Sequence, residues 1–213
     1  MGIQERKERE RERRRQQIMV AANRIFSEKG FGDAAMEDIA HKAELSPATL
    51  HLYFRNKEEL YVSLLLRILQ YFLLRVEHVS SLASAGPGKK IEALMEAMLD
   101  VYELDQPIII DIFDYQSRQA TRNLTPELMG ELKELKRRIM RPIEQIFRDG
   151  VSEGLFVDRN PAALADTFLS LFPGVILWVR SEKVITDGKD NIYKTLELAF
   201  DLFCRGIRAW SHR

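Results

Sequence analysis

The sequence predicts an all-α protein of about nine helices, a small three-helix head near the N-terminus followed by a larger helical body. Two patterns carry that expectation. Apolar residues recur at three- and four-residue spacing along nearly the whole chain, and no stretch alternates or gathers β-branched residues as a strand does. Proline, glycine and small polar residues also fall where such helices would start and stop. At 213 residues and 46% hydrophobic the chain can bury a substantial core.

The first helix starts within an Arg-rich arm and runs to about Lys29, with Ile18, Ala22, Ile25 and Phe26 on one face and Gly30 as its stop. A short second helix covers about 36–43, with Ile39, Ala40 and Ala43 inward. Ser46-Pro47 is an N-cap with proline at the first helical position, opening a third helix through about Phe54. Asn56 with Glu59 three residues on has capping-box spacing and begins a long fourth helix to about Ser80. The segment 84–88, Ser-Ala-Gly-Pro-Gly, is the clearest break. Helices are expected next at about 89–104 and 107–119. Thr125-Pro126 opens a longer one, interrupted or bent at Pro142 and ending near Gly150 to Gly154. Asn160-Pro161 opens the next, to about Ser181 with a kink at Pro173-Gly174, and a last helix fills 191–211 after a polar loop.

The second and third helices are joined by a very tight turn, Glu44-Leu45-Ser46. That is helix-turn-helix spacing: Ala40 lies near the middle of the first helix, Leu45 plugs the turn and Leu50 packs the second inward. Small Ala40 and Ala43 let the two helices cross closely. The second helix is then the reader, capped by Ser46, with Pro47, Ala48, Thr49, His51 and Tyr53 outward. Such short or flat side chains suit a groove floor of base edges and thymine methyls. Lys57, at the next helix start, is placed to hold a phosphate.

Ile18-x3-Ala22-x3-Phe26-x3-Gly30-Phe31, then Asp38-Ile39-Ala40-x2-Ala43-x2-Ser46, then Leu50-x2-Tyr53-Phe54-x2-Lys57-x2-Leu60 together resemble the DNA-binding head of the tetracycline-repressor family. The match covers about 45 residues and agrees in spacing and residue type across three helices. The resemblance implies a charged arm at 1–15, a DNA-binding head at 16–60 and an effector-binding, dimerising body at 61–213. It also implies double-stranded DNA with a palindromic operator as partner, and a repressor released by a small hydrophobic or amphipathic effector. Three positions depart from the pattern. Ala35 stands where relatives often carry a capping Thr or Ser, which leaves Asp33 to take over the cap. Glu44 stands where glycine is common and must accept either a strained conformation or a slightly different turn. His51 stands where tyrosine is common.

In the body, Ile192, Leu196, Phe200, Phe203, Ile207 and Trp210 make a four-three seam along the last helix. The helix before it, through Phe168, Leu171, Phe172 and Val175, is apolar nearly all round and must be covered on both sides. Burial within one chain would do this. A homodimer interface through Phe168, Leu171, Val175, Leu196, Phe200, Phe203 and Ile207 does it too, and it pairs two heads at about one turn of DNA (~34 Å). Met98, Tyr102, Phe113, Met140, Phe147, Phe168, Phe172 and Trp178 are flexible or aromatic enough to line an adaptable apolar pocket instead of plain core. Asp111, Asp114 and Arg118 share a stripe that is a solvated face or a cationic-ligand selector.

Composition excludes more than it asserts. The single cysteine, Cys204, rules out an internal disulfide framework and suits a cytoplasmic location. No membrane partner is expected, since the apolar run 64–74 is broken by Arg67 and Gln70, and no signal peptide, since the N-terminus is charged from Gln4 through Gln17. The histidines His41, His51, His78 and His212 are scattered, no serine sits in a nucleophile elbow and no phosphate loop occurs, so no metal, cofactor or catalytic residue is expected. Net charge is zero, with 32 basic and 32 acidic residues, so charge alone does not announce nucleic acid. The basic excess sits in the arm, 7 against 4 over residues 1–15, while residues 16–57 balance 5 against 5. The competing reading is a helical scaffold that only dimerises.

Overall fold

The computed structural model describes residues 2–104, 106, 124–186 and 191–209. The expected helix at 107–119, with Asp111, Phe113, Asp114 and Arg118, lies outside the described residues, as does Trp210. Eight α-helices occur among the described residues: α1 Ile3–Asp33, α2 Met36–Lys42, α3 Pro47–His51, α4 Lys57–Ser81, α5 Pro87–Leu104, α6 Pro126–Ser152, α7 Pro161–Thr186 and α8 Ile192–Gly206. No strand forms among them beyond one isolated bridge, Phe156 with Arg208. The fold is all-α, as the sequence predicts.

Two compact units form, one of Met1–Ile68 with Gln106–Leu132 and one of Leu69–Asp105 with Lys133–Arg213. In the first, the apolar stripe of α1 packs inward: Ile18, Ala22 and Phe26 are fully buried, beside Ile39 and Ala40 of α2, Leu50 of α3 and Leu60 of α4. Phe26, Phe31 and Tyr61 form a ring cluster with centroids 4.9 to 5.6 Å apart. Gly30 is the hinge that makes it possible. Its φ of +73° breaks α1, and Phe31 turns back onto Phe26.

The second unit is built around aromatic packing. Phe147 of α6, Phe168 of α7 and Phe200 and Phe203 of α8 meet at centroid distances of 5.2 to 6.1 Å, with Phe156 on their flank. Tyr102 of α5 meets Phe172 and Tyr193 edge-on. The sequence caps hold: Thr125 Oγ1 accepts from Leu128 N–H at 3.2 Å and Asn160 Oδ1 from Ala162 N–H at 2.9 Å. Both helices bearing interior prolines, Pro142 and Pro173, stay continuous. The last helix stops sooner than its periodicity suggests. After Gly206 the chain docks on the α6–α7 turn, Val157 N–H donating to Ile207 O at 2.7 Å and Ala209 N–H to Leu155 O at 3.0 Å. Gly150 is required there, because a Cβ would lie 2.0 Å from the Phe156 ring.

Two expectations need correction. One described segment, Pro161–Ser181, is long and apolar enough to cross a membrane by length and composition, with mean hydropathy 1.7 and only 28% of it buried in the chain. The sequence reading weighed only the run 64–74. The proposed dimer seam also turns inward: Phe168 and Leu196 are 0% exposed and Phe200 1%, so they fill the chain's own core. The apolar side chains left outside on α7 and α8 are instead Trp178, Tyr193, Leu198 and Leu202. Leu171, Val175 and Phe203 are half-buried, and Ile207 is buried.

Candidate nucleic-acid interface

The reading helix is set by its own first residues. Pro47 fixes φ for the first helical turn, and Ser46 Oγ accepts from Thr49 N–H at 3.1 Å while pairing with the Thr49 hydroxyl at 2.8 Å. Leu50 is fully buried, which sends Pro47, Ala48 and His51 outward. Thr49 and Tyr53 are half-buried. The regular helix ends at His51, and Tyr53 and Phe54 continue it as a turn through N–H bonds to Leu50 O at 2.9 and 3.1 Å. The sequence reading missed Leu52, which is 76% exposed. The signal was present, since a residue two places beyond buried Leu50 lies about 200° round the helix.

The turn between α2 and α3 is a Schellman motif: Leu45 N–H donates to Ala40 O at 2.9 Å and Glu44 N–H to His41 O at 3.1 Å. Glu44 takes the left-handed conformation, φ +56°, so of the two alternatives it is the strained conformation that forms. Gln17 Nε2 holds the same end of α2 by donating to Ala43 O at 3.0 Å. At the other end Ala35 supplies no cap. The acceptor there is Asp38, whose Oδ2 takes Ala35 N–H at 3.3 Å and Lys29 Nζ at 2.8 Å. This corrects the role given to Asp33. The Lys29 hydrogen bond first, and the Ala35 N–H next, hold the Asp38 carboxyl below the usual range.

Lys57 does something the sequence did not suggest. Its Nζ donates to the carbonyl oxygens of Phe31 and Gly32 at 2.9 Å and of Ala34 at 3.1 Å, and lies 4.7 Å from the Phe31 ring centre. An ammonium has three N–H donors, so none is left for a phosphate in this arrangement. Lys57 closes the open end of α1 and thereby fixes where α2 begins. Beside α3, the Arg15 guanidinium lies 4.3 Å over the Phe54 ring and donates to Ser63 Oγ at 3.2 Å and Tyr53 O at 3.5 Å. Asn56 Oδ1 caps α4 through Glu59 N–H at 2.8 Å, while Glu59 Oε2 reaches back to Arg55 N–H at 2.7 Å.

Residues 18–64 match the family model of bacterial regulatory proteins of the tetR family, and residues 84–207 match the tetracyclin repressor-like C-terminal domain. The chain belongs to the tetR family. It is a DNA-binding transcriptional regulator that meets DNA through its helix-turn-helix, and it is not an enzyme. The chain is 28% identical over 206 residues to the transcriptional repressor NicS of Pseudomonas putida, covering 92% of this chain and 93% of that one. It is 30% identical over 95 residues to the transcriptional activator FasR of Mycolicibacterium smegmatis, covering 45% and 43%. The solved structure of FadR from Bacillus subtilis in complex with stearoyl-CoA has the same fold, with TM-score 0.70 at 21% identity over 91% of this chain and 99% of that one.

The candidate body residues divide by burial. Met98, Tyr102, Phe147, Phe168 and Phe172 are buried, Met140 is half-buried and Trp178 is 66% exposed. Phe147 and Phe168 stand inside the ring cluster and fill volume. Cys204 is half-buried, and burial pushes its thiol up, away from the reactive thiolate.

Proposed function

We propose that this tetR-family protein is a homodimeric repressor. It holds a palindromic operator through α3 of each protomer and releases it when a hydrophobic or amphipathic small molecule enters the body. The observation that carries the reading is the capped, outward-facing α3, with Pro47, Ala48, His51 and Leu52 exposed on a backbone fixed by Ser46. Ala48 and Leu52 suit thymine methyls, while His51, Thr49 and Tyr53 bring polar tips to base edges or phosphates. Lys57 acts on the operator indirectly, by fixing the α1–α2 loop.

Dimerisation is supported by the outer apolar side chains of α7 and α8, where Trp178, Leu198 and Leu202 are each more than half exposed in one chain. A partner copy covering them also accounts for the apolar, largely unburied α7 without any membrane. Repression is favoured by NicS, whose likeness spans nearly the whole chain, whereas that to the activator FasR spans less than half. Met98, Tyr102, Phe172 and Met140 are the lining candidates for the effector, and the FadR complex makes a long-chain acyl-CoA the first ligand to assay. The site of action is the cytoplasm.

Sedimentation equilibrium and DNA anisotropy test this together. The wild type sediments as a dimer, Leu198→Glu with Leu202→Glu gives monomer that binds operator weakly, and stearoyl-CoA raises the operator Kd while free CoA does not. A monomeric wild type, or an operator Kd indifferent to acyl chain, contradicts the dimer and effector parts respectively.

A further inference from the structure

The arm before the family-matched segment is helical and strongly charged. α1 runs as helix from Ile3, fifteen residues ahead of the 18–64 match, so this part belongs to the chain and not to the family pattern. At about 100° per residue, Lys7, Arg11 and Arg14 fall on the same stripe of α1 as Ile18, Ala22 and Ile25. That stripe is buried where α1 crosses the head and basic where α1 runs on beyond it. The acidic residues Glu5, Glu8 and Glu12 lie on a separate stripe, about a third of a turn round.

The pairing of charges follows the same division. Glu10 takes Arg13 at 2.8 Å, and Glu12 takes Gln16 at 2.6 Å. Among the described residues Lys7 and Arg11 make no ion pair or hydrogen bond through their side chains, and Arg14 donates to Gln17 Oε1 at 3.2 Å while reaching Glu10 only at 4.0 Å. Next to this stripe, α1 is tied to the reading end by Arg15, which touches Tyr53 O and the Phe54 ring. From Arg15 to Lys7 is about 12 Å of helix, enough to pass several phosphates of one strand.

Resting on the reading of α3 as the DNA contact, we propose that Lys7, Arg11 and Arg14 form a phosphate-binding rail that carries the contact onto duplex flanking the operator. The head needs it: its charges cancel over residues 16–57, and Lys57 uses its donors internally. The rail supplies attraction without sequence information, and α3 supplies the information.

The test compares full-length wild type with Lys7→Gln/Arg11→Gln/Arg14→Gln on a selected operator, with long flanks and trimmed, across a salt series. On the long duplex the variant binds at least tenfold more weakly at low salt, and the slope of log Kd on log salt falls by about 2 to 3 per protomer. On trimmed duplex the two proteins converge, and the selected motif is the same for both. A Glu5→Gln/Glu8→Gln/Glu12→Gln variant binds the long duplex more tightly, and circular dichroism confirms that each variant keeps its helix content. An unchanged slope and Kd on long duplex, with site preference intact, overturns the rail and leaves the α3 reading standing. Loss of site preference in the wild type itself overturns both. Binding to anionic vesicles that depends on the three cations, with DNA binding unaltered, assigns the stripe to a membrane and also overturns it.

Discussion

The same turn occurs twice in this molecule, once in each unit. At the end of α6, Leu155 N–H reaches Gly150 O at 2.9 Å and Gly154 N–H reaches Val151 O at 3.0 Å, with Gly154 at φ +70°. At the end of α2 the bonds are the same, but the left-handed residue is Glu44 at φ +56°. In the body the turn relies on the residue that adopts it freely. In the head it is held from outside, by Gln17 on Ala43 O and by Leu45 seated in the turn. The contrast extends to the units as wholes. The head adds to its apolar core a set of polar groups at fixed spacings, among them Ser46, Asp38, Lys57 and Arg15. The body is fixed by filling volume with rings, which other side chains of like size can also do. A reading surface needs one backbone geometry, whereas a body of the kind we propose, built to take an effector, needs only a packed one.

The sharpest way to break that contrast is Phe168→Ala. It should cost about 3 to 5 kcal/mol in urea unfolding. Both tryptophans, Trp178 and Trp210, lie in the body's sequence, so their fluorescence follows the body's transition while the head's DNA motif stays the same. A change of motif would mean the head is not independently specified. Next is Lys57→Met, which keeps the stem but takes the ammonium from the carbonyls of Phe31, Gly32 and Ala34, for about 1 to 2 kcal/mol. Its operator salt slope should stay within about 0.3 of the wild type's, whereas losing a lysine on a phosphate would take about 0.9 from it.

Glu44→Gly should go the other way. It relieves the left-handed side chain but loosens the unfolded chain, for a net gain of about 0.5 to 1 kcal/mol by thermal or urea unfolding. A loss would show that Glu44 makes a contact worth more than its strain. The smallest effect is the acid response of Asp38. Its carboxyl is lowered in the fold, so its stabilisation is full above the ordinary carboxylate value near 4 and is lost as pH falls through the lower folded value. Melts of wild type and Asp38→Asn should therefore differ at pH 5 and converge toward pH 3.

What was legible in the sequence follows the same division. Caps are local chemistry, one side chain bonding a backbone a few residues on, and Ser46, Asn56, Thr125 and Asn160 all cap as their spacing indicates. Leu50, Ala40 and Ile18 are buried because helical period alone places them. Lys57 was misplaced because its partners are 23 to 26 residues away, across a break at Gly30 that spacing does not fold up. The α8 seam was assigned to a partner because periodicity gives the apolar stripe but not what covers it. Leu196 and Phe200 are buried within the chain, Phe200 against Phe168 of α7, and Leu198 and Leu202 are left for anything outside. Trp178 was taken for lining because residue type suggested it, and the structure leaves it at the surface.

Selection of bound sites from random DNA, run in parallel with wild type and His51→Tyr, tests the central claim most directly. The α3 reading predicts one two-fold symmetric motif for the wild type, and a motif altered at one base step in each half-site for the variant. An unaltered motif in the variant would remove His51 from the reading surface. Enrichment of no motif by the wild type would contradict the assignment of α3 as the reader.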